Sequence, residues 1–341
     1  MNFGFLIPSG YAVSLPGDGR RMQILAQAAA MERLGHRVTR LNGWDNSQVE
    51  EIDALHIVEG AFGNSVGAMG RPFGIKLMGL APFIDSNQPN WRYRMMAWLG
   101  SRHPQLVTAA GFYHRQMGEC DVILVRSSHE SARVVKGIGI PASKVKVVLN
   151  GVDLPAESDP ELARRHFNLP KEYLLHVSLY SEPRKNVLRL LEAVASTRLP
   201  LVIAGNPSGD TAMLGAIQAA IAKMGNVHLL GFLEPRMLQS LYAGCRVFCL
   251  PSLHEGTGLV ALEAAAHGAG VVITRNGGPP DYFKDLAYYV DPVGVGDIRD
   301  TILQAWEKPQ GAELRAHVLS SLTWDQSARS LAAAYGAKDN A

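Results

Sequence analysis

Short apolar runs alternate with helix-forming stretches along the whole sequence, and that rhythm limits the fold more than any other feature. Phe3 to Ile7 is such a run, closed by Pro8-Ser9-Gly10, and reads as a buried strand. A loop with Pro16-Gly17-Asp18-Gly19 leads into Arg20 to Leu34, a helix-forming stretch stopped by Gly35. Further strand-like runs occupy residues 37–41, 54–58, 74–80, 122–125 and 145–149. The rhythm restarts at residues 173–178 and continues through 201–204, 227–230, 246–250 and 270–274, with helices across 183–195 and 258–267. Such alternation predicts parallel sheets covered on both faces by helices. The expected fold class is α/β, with two doubly wound, Rossmann-like domains in succession.

A chain of 341 residues suits two domains. Residues 1–153 form the first and 171–322 the second. Residues 154–170 are polar, contain Pro155, Pro160 and Pro170, and read as the linker. Ligands of open α/β sheets bind at the carboxyl ends of the strands, so the cleft between two such domains is the expected site.

With 47% hydrophobic and 19% charged residues the chain is not disordered. A net charge of +2 excludes a strongly basic nucleic-acid binder, and no nucleic-acid partner is expected. The charge is uneven: residues 1–150 carry 16 Lys and Arg against 11 Asp and Glu, and the rest 17 against 20. A basic first half points to an anionic partner or surface there. Cys120, Cys245 and Cys249 make no disulfide framework and suit a reducing cytoplasm. The opening MNFGFLIPSG lacks a basic n-region and reads as a first strand. No apolar run reaches the roughly 18 residues of a membrane span.

The most informative stretch is PSLHEGTGLVALEAAAHG, residues 251–268. A strand ends before it, Gly256-Thr257-Gly258 makes a tight turn, and a helix starts at Leu259, with Thr257 positioned as its N-cap. Free N–H groups at such a helix start, with no Cβ on Gly256 or Gly258, make a phosphate seat. Glu255 and Glu263 bracket the seat and can accept hydrogen bonds from hydroxyls. That arrangement suits a ligand with sugar rings on either side of phosphates, such as a nucleotide sugar. The same spacing is also compatible with a solvated Glu255 and an ordinary helix-surface Glu263. In Ser181-Glu182-Pro183-Arg184-Lys185-Asn186, Pro183 suits a first helical position and Ser181 a cap. Arg184 and Lys185 would then oppose the helix dipole, at a cost of about 0.3–1 kcal/mol each unless an anion binds there. Two solvated surface cations are the plain alternative.

Several ordered segments together resemble the retaining glycosyltransferases of family 4. The E-x7-E arrangement of Glu255 and Glu263 resembles that family's donor-site motif, PRKN (183–186) its pyrophosphate-binding helix start, and VVLNGVD (147–153) its domain junction. VIAGNPSG (202–209), GFLEPRMLQSLYAGC (231–245) and NGGPPDYF (276–283) resemble its donor-domain loops. LTWDQSARSLAAAYG (322–336) resembles its terminal helix, which packs back on the N-terminal domain. The first half resembles the family in the loop with Gly17 and Gly19 and in the AAAMERLGHRV and DVILVRSSHE segments.

The resemblance implies a GT-B fold, two facing Rossmann-like domains with an interdomain cleft. Residues 1–153 would bind the acceptor, 171–322 the nucleotide-sugar donor, and 323–341 would return to the first domain. It implies retaining transfer of a hexose from a nucleoside diphosphate sugar to a glycan or lipid-linked acceptor, in the cytoplasm. Glu263 would hold the nucleotide ribose and Glu255 the donor sugar. Arg184 and Lys185 would neutralise the departing diphosphate. Gly256, Thr257, Gly258 and Leu259 would supply backbone donors, and Gly17 and Gly19 would let the first-domain loop approach the phosphates. No acid pair suited to a metal is present, so no metal and no cofactor besides the donor is expected. Two departures stand out. Family members carry a histidine after the fourth strand-like run, where this chain reads GIKLMGLAPFIDSN, and an arginine where Leu179 and Tyr180 stand. His56 follows an earlier strand and reads as structural. An epimerase of the same fold and a non-catalytic nucleotide-sugar-binding protein are the alternatives.

NWRYRMMAWLGSRHP (90–104) interleaves Trp91, Trp98, Tyr93 and two methionines with Arg92, Arg94 and Arg102 on an expected helix. That mixture suits an anionic acceptor or a headgroup interface, hence peripheral contact at the inner membrane face. It equally suits an amphipathic helix with its aromatics in the core.

Overall fold

The computed structural model describes residues 1–7, 19–41, 49–59, 71–84, 86–103, 105, 108–153, 158–207 and 209–337. They divide into two compact units, Met1–Gly151 with Trp324–Ala341, and Val152–Thr323.

The first unit runs β1 (Asn2–Leu6), α1 (Gly19–Arg33), β2 (Arg37–Leu41), β3 (Ala54–Val58), β4 (Leu77–Ala81), α2 (Asn90–Arg102), α3 (Ala109–Glu119), β5 (Val122–Val125), α4 (Ser128–Ala132) and β6 (Val145–Val147). Its strands form one parallel sheet in the order 2-1-3-4-5-6. The central strands β3 and β5 are buried throughout, as strands covered on both faces must be, whereas the edge strands β2 and β6 are partly exposed.

The second unit runs α5 (Pro160–Phe167), β7 (Leu174–Val177), α6 (Val187–Ala195), β8 (Leu201–Ala204), α7 (Thr211–Ile221), β9 (Val227–Gly231), α8 (Pro235–Gly244), β10 (Val247–Leu250), α9 (Leu259–Ala266), β11 (Gly270–Thr274), α10 (Pro279–Phe283), β12 (Tyr288–Val290), α11 (Val295–Glu307) and α12 (Gly311–Ser321). Its sheet is parallel, in the order 12-11-10-7-8-9. β7, β8, β10 and β11 are buried throughout and anchor the core with Leu190, Val194, Ile217, Ile298 and Ile302. β12 does not stand out in the sequence because its three residues, Tyr288 to Val290, are too short to set a period.

The final helix, α13 (Trp324–Ala334), belongs to the first unit. It packs along α1, where Gln27 donates to the Ser327 hydroxyl (3.3 Å) and Arg33 pairs with Asp325 (2.6 Å). Beyond it, the Tyr335 hydroxyl lies 3.0 Å from His56 Nδ1 in β3. Gly79 in β4 makes room for that tyrosine: a Cβ there would stand 2.0 Å from its hydroxyl.

The linker expected at 154–170 requires correction. Residues 160–167 form α5, packed on α8 within the second unit. Asp159 caps it by accepting from Glu161 N, Pro160 opens it as a first-turn residue, and Ala163 is buried with its N–H donating to Ser240 Oγ (2.9 Å). A proline marks a helix start as readily as a loop, and composition does not separate the two. Residues 154–157 lie outside the described residues.

Candidate functional site

Three loops meet at the carboxyl ends of the second unit's central strands: 178–186 after β7, 251–258 after β10 and 275–278 after β11. The backbone of Glu255 is clamped against the last of these. Its N–H donates to Asn276 O (3.0 Å) and its carbonyl accepts from Gly278 N (3.0 Å). Gly277, at φ 108°, lies so close that a Cβ would stand 1.9 Å from the Glu255 carbonyl oxygen. Only glycine fits both the conformation and the approach.

The Glu255 side chain is 5% exposed as a residue and densely held. Lys185 Nζ lies 2.7 Å from Oε1, Ser252 Oγ donates to the same oxygen at 2.6 Å, and Arg184 Nη1 lies 3.5 Å from Oε2. Burial alone would push this carboxyl up, but the Lys185 and Arg184 charges outweigh it and hold the group below the usual carboxylate range. Arg184 also donates to the His254 carbonyl (2.8 Å) and pairs with Glu182 (3.1 Å). Both cations are thus met by carboxylates within their own unit.

The helix expected over 183–195 is interrupted, which corrects the placement of Arg184 and Lys185 in its first turn. Pro183–Lys185 form a separate 3-10 turn, Asn186 is left-handed at φ 61°, and α6 begins at Val187. Asn186 Nδ2 donates to the carbonyls of Pro251 (2.9 Å) and Pro292 (2.7 Å), which fixes the break. Ser181 does not cap the turn; Glu182 occupies the cap position, without a side-chain bond. The two cations are therefore positioned by a kinked turn and not by a helix dipole.

Gly256, Thr257, Gly258 and Leu259 are contiguous with this cluster. Thr257 is not the N-cap of α9. Gly258 is, at φ 79°, a conformation a threonine would resist. The Thr257 hydroxyl instead faces the Tyr282 hydroxyl at 3.4 Å. Leu259 starts α9, whose first N–H groups have no i−4 carbonyl within the helix; that of Ala261 donates instead to Gly258 O (2.9 Å). Glu263 lies on α9 and accepts from the Tyr242 hydroxyl at 2.8 Å. Burial pushes its carboxyl up to about 7, against the Tyr242 hydrogen bond, with a smaller upward contribution from Asp153. Half-buried and hydrogen-bonded, Glu263 is not an ordinary helix-surface acid, and Glu255 is not solvated.

His176, inside β7, is fully buried. Its Nδ1 lies 2.8 Å from the Cys249 carbonyl, which fixes the proton there and leaves Nε2 to accept from Ser178 Oγ (2.7 Å). Burial lowers it to about 4, so the ring is neutral and structural at ordinary pH. Cys245 and Cys249 are buried, and burial pushes both thiols up. Gly19 is the first residue of α1 in the other unit, and Gly17 lies outside the described residues. Among the described residues, no three or more His, Cys, Asp or Glu gather as a metal centre would require. The sequence motifs do not single out Tyr242 and Gly277, whose partners Glu263 and Glu255 are distant in sequence, nor Ser252 and Glu182, which meet Glu255 and Arg184 within their own motifs.

Known proteins resemble this chain in sequence and in fold. Residues 159–319 match the family described as glycosyl transferases group 1. The chain is 28% identical over 213 residues to the O-antigen chain mannosyltransferase B of Escherichia coli, a match covering 59% of this chain and 55% of that protein. It is 30% identical over 231 residues to the D-inositol 3-phosphate glycosyltransferase of Mycolicibacterium smegmatis, covering 64% of this chain and 53% of that one. The match thus spans about half the length of either relative. Among solved structures, Anabaena HepE in complex with UDP superposes with a TM-score of 0.75 at 16% identity, over 98% of this chain and 99% of that one. Sucrose-phosphate synthase of Thermosynechococcus elongatus gives a TM-score of 0.74 at 16% identity, over 98% of both chains. With two parallel six-stranded sheets of this order, the chain has the GT-B fold, and its residues 159–319 match the model of the glycosyl transferases group 1 family.

Proposed function

We infer that this chain is a retaining, metal-independent glycosyltransferase of family 4 type that moves a hexose from a nucleoside diphosphate sugar to a glycan or lipid-linked acceptor. The observation that carries the reading is the Lys185–Glu255–Arg184 cluster beside the Gly256–Gly258 turn. Breaking the sugar–phosphate bond leaves negative charge on the diphosphate. Lys185, Arg184 and the N–H groups at the start of α9 are fixed donors for that charge, and stabilising it as it grows is what lowers the barrier. When phosphate oxygens take up Lys185, Glu255 is freed to accept hydrogen bonds from sugar hydroxyls. Glu263, oriented through one oxygen by Tyr242, offers the other to the ribose. The first unit, Met1–Gly151 with Trp324–Ala341, takes the acceptor in this reading, and the reaction runs in the cytoplasm.

The nucleotide sugar as donor draws support from HepE, solved with UDP and with UDP-glucose. A glycan acceptor draws support from the O-antigen mannosyltransferase. The test is a melting-temperature panel with UDP, GDP, ADP and TDP, followed by transfer assays with the sugar donors of the nucleotide that binds. One nucleotide should raise the melting temperature, and its sugar should pass to an acceptor with the anomeric configuration kept. Inversion of that configuration, or epimerised donor without transfer, contradicts the reading.

A further inference from the structure

Helix α2 presents two faces, and the proposed chemistry uses neither. Tyr93, Met96, Ala97 and Gly100 point inward: Tyr93, Met96 and Ala97 pack in the core of the first unit, and Gly100 is buried against α3. By the helical period, Trp91, Met95, Trp98 and Arg102 share the opposite face. Trp91 is 64% exposed, Met95 48% and Trp98 52%. Tyr93 thus follows the core expectation for this segment, and the tryptophans do not. Single exposed apolar residues are ordinary, but two tryptophans and a methionine in one stripe need an explanation.

Charge identifies what the stripe faces. α2 carries Arg92, Arg94 and Arg102 and no acid. Arg92 and Arg94 flank the stripe and are exposed, Arg92 resting on the Gln88 side chain, while Arg102 stacks on the Trp98 ring at 4.9 Å. Tryptophan bodies with cationic rims match the boundary between headgroups and acyl chains. At 13 residues, roughly 20 Å, α2 is too short to cross a bilayer and would have to lie along it. No described helix is long and apolar enough to cross a membrane.

We propose that α2 docks this chain on an anionic lipid bilayer, with Trp91, Met95 and Trp98 at the acyl boundary and Arg92, Arg94 and Arg102 on lipid phosphates. An exposed apolar stripe rimmed by cations fits a flat, negative, deformable surface. The inference stands apart from the transfer reading, since no residue of α2 belongs to the second unit.

The test is flotation of the full chain with vesicles of phosphatidylcholine, alone or with one quarter phosphatidylglycerol, at 0.1 M and 0.5 M salt. The chain should float with the anionic vesicles at low salt and be released at high salt. R92Q/R94Q should weaken partitioning about 30-fold, and W91A/W98A at least about tenfold, with melting temperatures unchanged because these side chains are exposed. Equal binding to neutral vesicles, or binding unaltered in W91A/W98A, would overturn the proposal. So would a dimer in solution that W91A/W98A dissociates without any vesicle binding, since a second copy would then cover the stripe. Loss of transfer in K185M with flotation intact bears on the reaction alone.

Discussion

Lys185 Nζ and Glu255 Oε1 stand 2.7 Å apart, and Ser252 and Arg184 complete the carboxylate's surroundings. One acid, nearly buried, contacts both cations proposed to meet a diphosphate, and Glu182 pairs with the second of them. The pair has a structural consequence and a catalytic one, and substitutions separate them.

In K185M, Glu255 keeps Ser252 and the more distant Arg184 but loses its strongest partner. Removing one member of a buried ion pair costs about 3–5 kcal/mol, and the remaining partners put this case near the lower end, ~3 kcal/mol. The double variant K185M/E255Q should cost clearly less than the sum of the single variants, with a coupling of at least ~1 kcal/mol in denaturant titrations. Strict additivity would show that the two groups do not interact. Transfer by K185M should fall about 100- to 1000-fold in kcat, as when a preorganised charge-stabilising donor is removed.

Glu263 gives the proposed donor site a pH dependence. Its carboxyl, pushed up to about 7, is protonated at pH 6 and ionised at pH 8, and only the ionised form accepts two ribose hydroxyls. Nucleotide affinity should therefore fall about tenfold from pH 8 to pH 6, and E263Q should flatten that profile. Y242F removes a hydrogen bond that favours the charged form, so the midpoint should move upward. The stability sign is opposite. A carboxyl raised from its usual 4.5 to about 7 binds more protons when folded, so its contribution is lost as pH rises through that window. Denaturation midpoints of the wild type and E263Q at pH 5 and pH 8 check this.

G277A should be among the most damaging single-methyl changes in the second unit. The added Cβ meets the Glu255 carbonyl at 1.9 Å, and φ 108° is foreign to alanine. A loss of ~3 kcal/mol, roughly 6–12 °C in melting temperature, is expected, together with weakened nucleotide binding. G209A, in open space, is the control and should leave both within error.

Y335F tests the return of the terminal helix. It deprives buried His56 of the hydroxyl at 3.0 Å and should cost about 1–3 kcal/mol. Burial lowers His56 to about 4, so the loss should be constant above pH 5. A loss that grows between pH 5 and pH 8 would contradict a neutral ring.

The fold was legible because buried parallel strands read as short apolar runs, and LHV in β7 or VFCL in β10 could be little else. The true extent of the linker is not legible, because Pro160 marks a helix start as readily as a loop. The candidate acids and cations were legible because a glycine turn, two acids and two adjacent cations lie on short motifs. Their geometry was not. The kink at Asn186 depends on carbonyls 65 and 106 residues away, at Pro251 and Pro292. The lift on Glu263 depends on burial beside Tyr242, 21 residues earlier. Local spacing carries no record of such contacts, which exist only once the sheet has assembled.

The most direct test of the central claim is a crystal of the chain grown with the nucleoside diphosphate that stabilises it. The account predicts phosphate oxygens within hydrogen-bond reach of Lys185 and of the N–H groups at Gly256–Leu259, with the ribose on Glu263. A nucleotide bound elsewhere, with the Lys185–Glu255 pair intact, would contradict it.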